Sequence, residues 1–125
     1  MTLAEQQCRF THKLAWLLDQ IIRRGYSVRI LELNRTLETQ KEYVAKGVSK
    51  TLDSRHLDKL AADIMIHKDG VPVPNEEYRQ FGILWELAGG RWGGRFGVEK
   101  ESLEVRATKL GWDCPHFEMR KEAGA

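Results

Sequence analysis

The residues best suited to chemistry in this chain are few and fall in two short segments. Only four histidines occur: His12, His56, His67 and His116. Two of them sit among acids. One segment reads Ser54-Arg55-His56-Leu57-Asp58-Lys59-Leu60-Ala61-Ala62-Asp63, the other Asp113-Cys114-Pro115-His116-Phe117-Glu118. Imidazole and carboxylate together suit Zn²⁺, whose catalytic sites keep three protein ligands and one open position. Water at an open position is acidified enough to supply a nucleophile near neutral pH. A second arrangement fits the spacing equally well, namely partly buried histidines, each hydrogen-bonded to a carboxylate.

The spacing constrains the backbone. His56 and Asp63 are separated by an odd offset, so one continuous strand would put them on opposite faces. If both face one ion, the chain must turn between them, and Asp58-Lys59 is a plausible turn. Asp113 and His116 meet the same parity problem. Pro115 interrupts regular pairing and lets Asp113 approach from a loop. His67 is the rival ligand, because it shares a strand face with Asp63, and it is expected instead to be a surface or core imidazole. His12 lies on the first helix with no acid at site-like spacing and is given no role.

The elements that must carry these residues form a mixed α+β order. With 125 residues the chain is expected to be a single domain, 1–125. Hydrophobic residues make up 42% and charged residues 30%, a globular profile. Thr2 and Glu5 form a capping box, and Leu3, Phe10, Leu14, Leu17, Leu18 and Ile21 follow at helical spacing up to Gly25. Tyr26, Val28 and Ile30 alternate as in a strand. Thr36 to Lys46 reads as a shorter helix, and Ala61 to His67 as a second strand. Asp69-Gly70 predicts a hairpin returning through Val71 and Val73. Asn75 is expected to cap a helix bearing Tyr78, Phe81, Leu84, Trp85 and Ala88, stopped by Gly89 and Gly90. The last strand is expected from about Pro115 to Arg120. Trp16, Trp85 and Trp112 are expected in the core. The glycine-rich stretch Gly89 to Gly97 lacks the Gly-Lys-Ser/Thr ending of a phosphate loop.

Several short pieces, in order, carry a resemblance. Ser54-x-His56, Ala61-x-Asp63, Arg91-Trp92-Gly93-Gly94 and Asp113-x-x-His116-Phe117 resemble zinc peptidases of the D-alanyl-D-alanine carboxypeptidase type, the VanY-like or Hedgehog/DD-peptidase-like group. Arg35-Thr36-x-x-x-Gln40 with Gly47-Val48-Ser49 is similar to that group's upstream element. Within the group the chain looks most like bacteriophage endolysins that cleave L-alanyl-D-glutamate bonds. It departs at Lys59, where the family has glycine, and at Arg95-Phe96, where an acid followed by Trp is commoner. Residues 97 to 112 hold no family landmark.

The resemblance implies a small domain with a central antiparallel sheet and helices packed around it. It implies one Zn²⁺ held by His56, Asp63 and His116, and Asp113 as the base that takes a proton from metal-activated water. Arg35 would polarise the substrate carbonyl or hold a substrate carboxylate, while Ser54, Gln40 and Trp92 would support ligands or substrate. The implied partner is the peptidoglycan stem peptide, cut at L-Ala-D-Glu. D-Ala-D-Ala carboxypeptidase activity, or a non-catalytic zinc-stabilised wall-binding or virion module, are the alternatives. A net charge of +2, with interleaved signs, gives no reason to expect a nucleic-acid partner. No membrane insertion is expected, and the chain is expected to be a monomer. Met1 to Arg24 does not read as a signal peptide. Two cysteines, Cys8 and Cys114, make no disulfide framework. Both features agree with a host-cytoplasmic protein, and the resemblance to phage endolysins implies that it reaches the wall through holin-type release. Cys114, inside the second segment, is expected to tune or poison the site. Glu118 and Arg120 are unassigned.

Overall fold

The computed structural model describes residues 1–33, 37–47 and 60–120, with side chains absent from the description at 37–40. Helix α1 spans Leu3–Arg23 and starts on the expected capping box, Thr2 accepting from the Glu5 amide and Glu5 from the Thr2 amide. Its buried face is Gln6, Phe10, Leu14, Leu17 and Ile21. Strand β1, Ser27–Glu32, follows at once. Helix α2 is Leu37–Ala45, β2 is Ala61–Lys68 and β3 is Val71–Pro72. Asp69 and Gly70 both have positive φ, 53° and 81°, the twist that a two-residue hairpin turn requires.

Helix α3, Arg79–Leu87, begins differently from expectation. A 3₁₀ turn, Asn75–Tyr78, precedes it, and Asn75 does not cap it. The first residue of that turn follows Pro74, whose fixed φ starts a tight turn without side-chain help. At the other end Lys13 of α1 donates to the Ala88 carbonyl, satisfying a helix-end acceptor from a neighbouring helix. Strand β4, Arg91–Trp92, was not expected: two residues carry no periodicity, and only pairing defines it. Helix α4 is the short Leu103–Arg106, and β5 is His116–Glu118.

The strands make one antiparallel sheet in the order β1-β2-β5-β4, with β3 also on β2. Strands β5 and β3 share one edge of β2, and between them the Tyr78 hydroxyl accepts the Ile66 amide at 3.0 Å. That side chain completes a ladder that no strand reaches. Burial along β2 alternates. Ala62, Ile64 and Ile66 face α1 and α3, whereas Asp63, Met65 and His67 take the other face and are partly buried. Phe10, Trp85 and Phe117 join helix to helix to sheet through edge-on contacts, with centroids 6.0 and 5.9 Å apart. Among the described residues the core therefore lies on the α1 and α3 side of the sheet, with Asp63 and His116 on the other side. Trp85 is in the core as expected, but Trp16 and Trp112 are 38% and 62% exposed. Ile30, expected to alternate inward on β1, is also exposed at the sheet's edge strand.

Candidate metal centre

Strand register brings the two segments together. Asp63 on β2 pairs directly with His116 on β5. Both lie on the face away from α1 and α3, and His116 Nδ1 is 2.9 Å from Asp63 Oδ1. Asp113 reaches the same place from a turn. Its carbonyl accepts the His116 amide at 3.0 Å, closing a four-residue turn through Cys114 and Pro115. This resolves the parity problem, since the turn folds Asp113 back beside the imidazole, with Oδ2 3.9 Å from Nδ1. One nitrogen and two carboxylate oxygens, from His116, Asp63 and Asp113, all lie within 4.8 Å of one another. Their side-chain exposures rise from 8% at His116 to 23% at Asp63 and 41% at Asp113. The cluster thus runs from the sheet outward to solvent.

The opposite ring nitrogen is also held. His116 Nε2 is 2.7 Å from Glu118 Oε1, within the buried part of the cluster. Glu118 is two residues along β5, so its side chain falls on the same face. Arg91, opposite Glu118 on β4, reaches Glu118 Oε2 from Nη1 at 3.3 Å. Burial disfavours the His116 imidazolium, but hydrogen bonds to Asp63 and Glu118 and the charges of Asp63 and Asp113 outweigh it. The pKa is pushed up to about 9. The site is built to surround a positive charge.

A second layer fixes the turn. The Trp92 indole donates to the Cys114 carbonyl at 2.8 Å, and the Trp85 indole to the Glu118 carbonyl at 2.8 Å. Gly93 passes so close that a Cβ there would lie 2.0 Å from the Asp113 oxygen and 2.9 Å from His116 Cβ. The stretch between β4 and β5 is tied to the same backbone. Gly111, Trp112 and Asp113 donate to the carbonyls of Gly94, Phe96 and Gly93. The Arg106 carbonyl accepts from Arg79 and Arg95, and Arg95 also pairs with Glu86 on α3. Residues 97 to 112, without a landmark in the sequence, are a tethered excursion that delivers Asp113.

The structure thus joins Asp63, Asp113 and His116 and sets Trp92 behind them, 1% exposed, as a support within the core. Arg35, Ser54 and His56, and the Asp58-Lys59 turn, lie outside the described residues. Gln40 is on α2, its side chain likewise outside the description. His67 is at the far end of β2, accepting from Arg29 Nε at 3.1 Å, and is not in the donor cluster. Cys114 corrects an expectation: its side chain packs in the core, 1% exposed, where burial and then the Asp113 charge push its thiol up. Glu118 was missed, although its even offset from His116 was a usable signal.

No family model matches the chain, and no curated protein matches it. Solved structures do. The L-Ala D-Glu endopeptidase ChiX of Serratia marcescens superposes with a TM-score of 0.60 at 26% identity, over 83% of this chain and 75% of that one. A zinc-bound variant of the vancomycin-resistance D,D-pentapeptidase VanY, from a VanB-type cassette, superposes with a TM-score of 0.58 at 23% identity, over 89% and 70%. The fold is VanY-like. The α+β order, with one antiparallel sheet and helices packed against it, agrees with the fold class that the motifs implied. Among the described residues no helix is long and apolar enough to cross a membrane.

Proposed function

We propose that this chain is a zinc-dependent peptidoglycan peptidase that hydrolyses an amide of the stem peptide, at L-Ala-D-Glu. The observation that carries the reading is the directly opposed Asp63–His116 pair, with Asp113 folded beside it on the sheet face opposite α1 and α3. ChiX, an L-Ala D-Glu endopeptidase of similar fold, supports the choice of bond.

The donor set fits zinc. An imidazole nitrogen and carboxylate oxygens converge on one point, and the imidazole's other nitrogen is bound to a carboxylate, as is usual for histidines that hold metal. In this reading Asp63 and His116 hold the ion with His56. When bound, zinc acidifies water and polarises a carbonyl. The protein's own residues do the rest. Asp113, the most exposed of the three acids or bases in the cluster, accepts the proton of the attacking water and returns it to the leaving amine. Arg35 supplies a cation for the developing oxyanion or a substrate carboxylate.

The test is digestion of purified muropeptides with and without a chelator, followed by mass spectrometry. Products ending in L-Ala, lost on chelation and restored by zinc, are expected. Loss of a terminal D-Ala instead would move the reading to a D,D-carboxypeptidase. One bound zinc with no cleavage would make the chain a zinc-stabilised binding module. Undiminished cleavage in chelator would sink the metal mechanism.

A further inference from the structure

The two nitrogens of His116 face different partners, and the difference has a consequence for metal binding. Nδ1 looks toward Asp63 and Asp113, at 2.9 and 3.9 Å. Nε2 looks into the protein, toward Glu118 Oε1 at 2.7 Å. Glu118 is 6% exposed, and its two oxygens divide the work: Oε1 meets the imidazole and Oε2 meets Arg91. Arg91 is itself braced, its guanidinium lying 5.4 Å from the centroid of Phe96 and 3.8 Å from Glu99. Phe96 in turn contacts the His116 ring, with centroids 5.4 Å apart and planes tilted by 50°. The imidazole is therefore fixed in orientation by a ring contact and at one nitrogen by a carboxylate that cannot donate.

We propose that Glu118, oriented by Arg91, is a positioning residue that holds His116 with its proton on Nε2 and so presents the Nδ1 lone pair to a divalent cation beside Asp63. This rests on the metal-site reading above. A carboxylate accepting from Nε2–H selects one neutral tautomer and one ring orientation, and raises the basicity of the other nitrogen. Without it the ring could flip or take the other tautomer, turning an N–H toward the ion. Arg91 matters because a lone buried carboxylate is costly, and its cation keeps Glu118 in place.

The experiment measures zinc affinity by competition with a chromogenic chelator for the wild type, Glu118→Gln and Glu118→Ala. Removing a carboxylate behind a metal-bound histidine typically weakens affinity about 10- to 100-fold. A loss in that range is expected for Glu118→Ala. Glu118→Gln, which keeps an acceptor oxygen of the same reach, should recover part of it. Wild-type affinity in Glu118→Ala would overturn the proposal. Nitrogen-15 correlation spectra of the zinc-loaded wild-type protein give a reading that needs no variant to fold. They should show Nδ1 metallated and Nε2 protonated, and the reverse assignment would overturn the proposal. If the wild type binds no zinc, the metal-site reading itself has failed; where it does bind, His116→Ala should abolish tight binding and Glu118→Ala only weaken it.

Discussion

His116 is the residue on which the site turns, because three carboxylates approach one buried imidazole. Two predictions belong here. In the zinc-free protein the His116 pKa stands at about 9 against 6.5 in a model peptide. Between those values the folded chain binds more protons than the unfolded one. Its contribution to stability is therefore fully present below about pH 6.5 and is lost as pH rises through about 9. Denaturant unfolding of chelated protein should show stability falling across that window. A flat or rising profile would mean that Asp63, Glu118 and Asp113 do not hold the imidazolium. The second prediction concerns Asp113. Its substitution by Asn keeps the size of the side chain and removes the base, so turnover should fall about 10²- to 10⁴-fold. Zinc content, read by atomic absorption, should stay at wild-type stoichiometry. Turnover that survives would disqualify Asp113 as the base.

At the scale of elements, the site depends on a turn clamped between β4 and β5. Gly93 is where the clamp is tightest: a methyl group there meets the backbone oxygen of Asp113, and backbone does not swing aside as a flexible side chain does. Gly93→Ala should cost about 1–3 kcal/mol of stability, the usual range for forcing atoms into a filled space. It should also lower turnover, because the displaced group is the turn that presents Asp113. Thermal unfolding and muropeptide cleavage check both parts, and a variant with unchanged melting and activity would refute the close approach. The elements themselves were legible in the sequence to differing degrees. The capping box at Thr2 and Glu5, the apolar stripe of α1 and the Asp69-Gly70 hairpin are local signals, and each appears where expected. Asn75 failed as a cap because Pro74 sets a 3₁₀ turn first. Strand β4 was invisible because its two residues become a strand only against β5.

At the scale of the molecule, core and chemistry occupy opposite faces of one sheet. Leu17 on α1 is fully buried on the helix side. Leu17→Ala should therefore destabilise the fold by about 2–5 kcal/mol. Zinc affinity and turnover per folded molecule should be unchanged below the melting transition. If Leu17→Ala weakened zinc binding in fully folded protein, the separation of the two faces would be wrong. The same layering explains Trp92. The motif implied a tryptophan that supports ligands or substrate, and pairing of Trp92 with Phe117 sets it on the core side, where its N–H holds the Cys114 carbonyl.

Donor types, the Asp69-Gly70 turn and the alternation of faces along β2 follow from the residues alone, because they depend on side-chain chemistry and on a period of two. Pro115 and the parity of Asp113 and His116 were enough to require a turn between them. Which donors meet depends on long-range pairing. Asp63 and His116 are 53 residues apart and become neighbours through the register of β2 on β5. That register is set by burying Ile64, Ile66 and Phe117 against α1 and α3, an energy summed over the whole core. The partnership of His116 with Glu118 and Arg91 also needed β4 in place. The pairings of β5 with β2 and with β4 thus bring Asp63, His116, Glu118 and Arg91 together.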